Sequence, residues 1–292
     1  VRAELRLPHW LYVALSSYLL FAIGLKGGAA LAASSPASAS GPLLIALVLG
    51  CLVPVWAYAV ARRLGRFGID DAAALAAHYG SVSVVTFTAS MAFLGSLDVE
   101  VEGYMVAILA LLEAPGILVA LFIASRASGN TSWHRALGEV VRGRSIALLL
   151  AGLVLGAVAG NGGMAPLAPI FVTPFYLVLV VFLLEMGRVA SSHLGAIRES
   201  GRFLLAFGIL MPLFNGTLGV AAGTLVGLSV GGATILGTIA ASASYIAAPA
   251  AVRHALPRAR PGIPLAASLG VTFPFNLVAG IPLYYQLARL LG

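Results

Sequence analysis

The sequence predicts an all-α polytopic membrane protein, and three observations predict it. Hydrophobic residues make up 60% of the 292 and charged residues 9%, with a mean hydropathy of +1.02, whereas soluble domains carry about 25% charged residues. The apolar residues fall in runs of roughly 20, the length that a bilayer-crossing helix needs. The arginines gather in alternate connections between those runs.

Nine spans follow in order, near 9–33, 42–61, 72–95, 104–124, 145–163, 171–192, 203–228, 232–252 and 264–287, joined by short connections. One set of connections holds Arg2 and Arg6, then Arg62, Arg63 and Arg66, then Arg126, Arg135, Arg142 and Arg144, then Arg188, Arg198 and Arg202, then Arg253, Arg258 and Arg260. The alternate set, 34–41, 96–103, 164–170 and 229–231, has no Lys or Arg, and 96–103 is acidic through Asp98, Glu100 and Glu102. By the positive-inside rule the arginine connections are cytoplasmic. The expected setting is a bacterial cytoplasmic (inner) membrane, with the lipid bilayer itself as a partner.

Composition also excludes several functions. The net charge of +7 comes from residues scattered singly between spans, so it reports topology and not affinity for nucleic acid. One cysteine, Cys51, rules out an internal disulfide and a cysteine metal site. No nucleophile–base–acid set, metal-ligand spacing, phosphate loop or haem motif stands out, so an enzyme is not expected and neither is a resident cofactor.

The two halves resemble each other at an offset of roughly 160 residues: SSYLLFAIGLKGGAAL (16–31) with VVFLLEMGRVASSHLG (180–195), CLVPVWAYAVARRLG (51–65) with ILMPLFNGTLGVAAG (209–223), and ALLEAPGILVALF (110–122) with LGVTFPFNLVAGI (269–281). Ser81/Ser83 correspond to Ser242/Ser244. The first span runs outward and its counterpart inward, so the repeat is inverted, as in many secondary transporters. The expected halves are 1–135 with four spans and 136–292 with five. The parent arrangement is then five plus five, with the first helix missing from the given chain.

Two spans carry unusual polarity. HYGSVSVVTFTASMAFL (78–94) and IAASASYIAAPAAVRHALP (239–257) place Ser, Thr and Tyr among small residues and Pro249. The expectation is a pair of broken helices that meet around a small polar solute. Gly80, Ser81, Ser83, Thr86, Ser242 and Ser244 are the candidate substrate-binding residues. Half-helix N-termini offer free N–H groups and a positive dipole end to an anion. The alternative is that these hydroxyls bond back to their own helix carbonyls.

Glu113 lies mid-span before Pro115, where a carboxylate costs about 2.5–3.5 kcal/mol by insertion scales and faces a polar cavity as a rule. It is a candidate to hold a coupling cation or a proton; the alternative is that it satisfies backbone groups freed by Pro115. Its repeat counterpart is Thr272, ahead of Pro274. Glu113, Tyr245, Thr88 and Thr272 form the candidate ion-binding set, hard oxygen donors suited to Na⁺. Glu185 and Lys26 are expected to be structural, either paired with each other or with Glu185 held by Arg188 and Lys26 snorkelling. His78 and His254 are expected near the membrane interface, and Asn215 and Asn276 between helices.

These residues resemble the sodium-dependent bicarbonate permeases (SbtA-like transporters). The resemblance runs through AIGLKGGAAL (22–31), the serine-rich third span, LLEAPGILVALFIA (111–124), the 239–257 stretch and GIPLYYQLARLLG (280–292). It implies a five-plus-five inverted fold with core and gate domains, a homotrimer, Na⁺-coupled bicarbonate uptake by an elevator-like movement, and a PII-like cytoplasmic regulator. The chain departs from that pattern at Tyr245, where well-known members carry an acid, and in a shorter 125–144 segment. The rival expectations are a same-fold carrier of another small anion with proton coupling, and a non-transporting membrane sensor.

Overall fold

A computed structural model describes the backbone of residues 7–128 and 143–292, and their side chains except at 36, 37, 128, 145, 190–200 and 254. The described residues are helical, with no strand among them. The proposed half boundary at 135, most of the 125–144 segment and the His254 side chain lie outside this description.

The elements are α1 (His9–Ala33), α2 (Pro36–Arg63), α3 (Ile69–Gly80), α4 (Val84–Gly95), α5 (Met105–Leu112), α6 (Pro115–Ser128), α7 (Arg144–Met164), α8 (Phe175–Leu225), α9 (Val230–Ala241), α10 (Ala247–Ala255) and α11 (Gly262–Leu291). Among the described residues, seven helical stretches are long and apolar enough to cross a bilayer. The run α8 is two helices meeting at Gly201, whose φ of 80° only glycine adopts readily. The expected span 232–252 is not continuous: α9 and α10 are separated by a non-helical stretch.

Small residues let helices approach at their backbones. Gly24 and Gly28 of α1 face Gly152 and Gly156 of α7, and a Cβ on any of the four would overlap the opposite backbone. Reciprocal Gly-x-x-x-Gly packing of this kind replaces the hydrophobic drive that lipid cannot supply. In α11 the turns widen to π-helix over Ala266–Thr272 and Asn276–Gly280, on either side of Phe273–Phe275. Pro274 has no N–H to donate, and a widened turn is one way a helix absorbs that defect.

The buried apolar side chains form two clusters. One takes Val85, Phe87 and Leu94 of α4 with Ile235, Leu236 and Ile239 of α9. The other takes Leu75 and Tyr79 of α3 with Ala248, Ala251 and Val252 of α10. Each broken span thus contributes one half to each cluster, and the breaks sit at the seam between them. That seam is where hydroxyls and free backbone groups escape contact with purely apolar neighbours.

Candidate functional site

The first break follows Gly80. Ser81 (φ −109°, ψ 151°) and Ser83 (φ −108°, ψ 110°) are extended, so the chain leaves α3 and re-enters helix at Val84. A Cβ on Gly116 would overlap the Gly80 carbonyl oxygen, so only glycine lets the start of α6 lie against the end of α3. Ser81 Oγ then donates to the Glu113 carbonyl at 2.9 Å, tying the α5–α6 break to the α3–α4 break. The second break opens at Ser242 (φ −78°, ψ 165°) and closes at Ala247.

The two extended stretches cross and bond to each other. The Ser244 N–H donates to the His78 carbonyl at 2.7 Å, and the Ser83 N–H donates to Ser242 Oγ at 2.9 Å. Ser242 Oγ in turn donates to the Ile239 carbonyl at 2.8 Å. Ser83 Oγ accepts from the Thr86 N–H (3.2 Å) and the Thr86 hydroxyl (3.0 Å), and lies 3.4 Å from the Tyr245 hydroxyl, to which it donates. Ser244 Oγ accepts from the N–H groups of Ala247 and Ala248, both at 3.3 Å. Ser83 is therefore the N-cap of α4, and Ser244, two residues before Ile246 at the N-cap of α10, takes N–H groups of the first turn of that helix.

A helix start frees four N–H groups, and each serine takes only part of that set. The N–H groups of Val84 and Val85 on α4, and of Tyr245 and Ile246 before α10, have no hydrogen-bond partner among the described residues. All four residues line one cavity, with about 20 Å³ free at its centre, enough for a water-sized group. Leu19, Leu179 and Phe182 close it on the apolar side. Glu113 lines the same cavity; it is 2% exposed, and its Oε2 has no hydrogen-bond partner among the described residues. The cavity thus presents hydrogen-bond donors from two helix starts and a carboxylate from a third broken span.

Of the residues expected from sequence, Ser83, Ser244, Tyr245, Glu113 and Thr88 line this cavity. The Thr88 hydroxyl donates back to the Val84 carbonyl at 2.7 Å, which leaves its lone pairs for a cation. Gly80, Ser81, Thr86 and Ser242 do not line it; they hold the crossing together. Thr272 stands apart from the expected ion set. Its hydroxyl accepts from Tyr79 at 2.7 Å and donates to the Gly208 carbonyl at 2.8 Å, so both its donor and an acceptor position are taken between α3 and α8. The π-turn that carries Thr272 changes the face it presents, which repeat register does not reveal.

Several other intramembrane polar groups have partners within the fold. Glu185 is held by Arg188 at 2.9 and 2.5 Å, and the Lys26 ammonium sits over the Phe175 ring, 4.1 Å from its centre. Trp56 Nε1 donates to Asn215 Oδ1 at 2.8 Å, and Asn276 Nδ2 to the Ala241 carbonyl at 3.0 Å, both bonds between helices. Free N–H groups at the half-helix starts were expected; that they belong to Val84, Val85 and Ile246 was not. Their only trace in the sequence is the position of the serine that precedes each restart.

The profile of the Na⁺-dependent bicarbonate transporter superfamily matches residues 1–289. The chain belongs to that superfamily. No curated protein matches it. Membership places the chain among multi-pass membrane transporters and not among enzymes. The cavity at the crossed breaks is lined by Val84, Val85 and Ile246, which bring backbone N–H groups, and by Glu113, Thr88 and Tyr245, which bring side-chain oxygens.

Proposed function

We propose that this protein imports bicarbonate, or a similarly small monoanion, together with Na⁺. The observation that carries the reading is the set of four unpartnered N–H groups, from Val84, Val85, Tyr245 and Ile246, around one cavity that also holds the Glu113 carboxylate. The anion takes the N–H groups and the positive ends of α4 and α10. Na⁺ takes Glu113, the Thr88 oxygen and the Tyr245 hydroxyl as hard ligands. Each ion offsets the charge of the other, so the loaded site crosses a low-dielectric barrier at lower cost. The crossed breaks move together as a core against the remaining helices, in an elevator-like step, within five-plus-five inverted halves that assemble as a trimer. A bacterial inner membrane and a PII-like partner on the arginine-rich face complete the proposal.

The test is uptake of radiolabelled bicarbonate into proteoliposomes with and without an inward Na⁺ gradient. Uptake that rises with the gradient supports the reading, and uptake indifferent to Na⁺ overturns the coupling. A second reading, a proton-coupled carrier of another small anion, draws on Tyr245. It is neutral, so Glu113 is the carboxylate left to take either ion among the described cavity-lining residues. Inhibition of uptake by acetate at constant Na⁺, with acceleration by an inward proton gradient, would favour that reading.

A further inference from the structure

Beneath the crossing, on the arginine-rich side, lies a separate cavity of about 90 Å³. Its walls are rigid: Pro249 and Val252 of α10, Pro257 and Pro261 of the connection that follows, and Pro264 at the start of α11. Asp71 pins that connection to α3, accepting from the Arg260 N–H at 2.8 Å and from its guanidinium at 2.9 and 2.7 Å. The cavity is therefore held open by bonds at its rim and not by side chains that fill it.

Two residues with polar side chains line it, His78 and Arg253. His78 is 1% exposed and lines the cavity. Its Nδ1 lies 2.8 Å from the Ala74 carbonyl, which has only lone pairs to offer, so Nδ1 carries the proton. Nε2 is then an acceptor, and it has no hydrogen-bond partner among the described residues. Arg253, exposed on α10, lines the same cavity and carries a positive charge. An acceptor on one lining residue and a cation on another match a small oxyanion that keeps one O–H. A fully deprotonated anion such as nitrate has nothing to give Nε2.

We infer that this cavity is a second, inhibitory anion site on the arginine-rich face, taking a monoprotonated oxyanion, with bicarbonate itself as the ligand. The His78 carbonyl also accepts the Ser244 N–H that fixes the crossing. An anion bonded to the His78 ring therefore stiffens the residue on which the transport site is hung, and slows the cycle when bicarbonate has accumulated on that side. The inference rests on the proposed transport of bicarbonate, and its test separates the two.

Proteoliposomes with the arginine-rich face inward are loaded with increasing sodium bicarbonate, sodium nitrate or sodium formate, and initial uptake of labelled bicarbonate is read at fixed outside concentration. Internal bicarbonate is expected to lower the rate about tenfold or more, and nitrate and formate at the same ionic strength to leave it unchanged. Leu265→Phe, which fills the cavity without touching the crossing, is expected to keep uptake at low internal bicarbonate and lose the inhibition. His78→Leu is read by the same ratio of inhibited to uninhibited rate. Inhibition by nitrate equal to that by bicarbonate, or undiminished inhibition in Leu265→Phe, overturns the second site while leaving transport standing. Absence of uptake under every internal condition overturns the transport proposal, and with it the inhibitory role. A direct reading, broadening of the ¹⁵Nε2 signal of His78 on titration with sodium bicarbonate but not nitrate, then decides whether the cavity binds at all.

Discussion

Glu113 concentrates the electrostatic argument at a single residue. A buried carboxylate without a partner is destabilising until a cation or proton arrives. Glu113→Gln keeps the shape and removes the charge, so two effects of opposite sign are expected. The empty protein gains thermal stability, by about 1 kcal/mol or more, while the stimulation of uptake by Na⁺ disappears. Thermal unfolding in detergent with and without Na⁺ reads both: the wild type is stabilised by Na⁺, and the variant is not. If Glu113→Gln still responds to Na⁺, the cation sits elsewhere. Ser244 makes a different residue-scale case. Its hydroxyl takes the N–H groups of Ala247 and Ala248, and loss of such a cap costs about 1 kcal/mol. Ser244→Ala is expected to raise the KM for bicarbonate roughly fivefold, the equivalent of that cost, while Ser244→Thr stays near the wild type. A KM unchanged in Ser244→Ala would mean that the cap plays no part in setting the α10 start.

At the scale of the helix, the breaks depend on close backbone approach. Gly116 meets the Gly80 carbonyl with no room for a methyl group. Gly116→Ala is expected to destabilise the protein by about 1–3 kcal/mol, as overpacking does, and to abolish uptake by forcing α6 away from the first break. Gly187→Ala is the control: nothing lies within 4 Å of that position, and the helix gains roughly 0.5–1 kcal/mol from alanine. Equal melting temperatures for the two variants would remove Gly80–Gly116 from the account. These breaks explain what the sequence could and could not convey. Two Ser-x-Ser pairs in otherwise apolar runs marked both interruptions, because short hydroxyls within a span point to backbone left without helical partners. The same reading placed Ser242 at the solute, whereas its hydroxyl is committed to Ser83 and Ile239. Which serine caps and which braces depends on the residue where each helix restarts, a difference of one or two positions in φ and ψ. Thr272 was misplaced for a related reason: a π-turn shifts the face of every residue it carries, and hydropathy does not register it.

Across the whole molecule, two carboxylates fasten the broken spans to each other at opposite ends. Asp71 in the first turn of α3 holds Arg260, beyond α10. Glu102, beyond α4, accepts from the N–H (2.7 Å) and hydroxyl (3.0 Å) of Ser229, the cap of α9. Each leading half-helix is thus tied to the connection that follows the trailing half of the other span, and the four half-helices form a closed unit. If that unit moves as one body, access to the site must be controlled at its edge, and Tyr245 occupies such a position. It lines the cavity at the crossing and also a wider cavity of about 320 Å³ bounded by His9, Tyr12, Glu185 and Arg188. Its phenol ring, packed edge-on against Phe273 at 5.5 Å and joined to Ser83 by a long 3.4 Å bond, is common to the linings of both. A lone cysteine makes a partition by that ring measurable, since Cys51→Ala removes the one native thiol. In that background Thr88→Cys places a thiol on the site cavity. A charged, membrane-impermeant methanethiosulfonate applied from the arginine-rich face is expected to label it slowly. Adding Tyr245→Ala should accelerate labelling from that face by about tenfold or more, and Tyr245→Phe, which keeps the ring, should not. Acceleration from the opposite face instead would place the partition on the other side of the site, and equal rates in all three proteins would mean that the ring closes nothing.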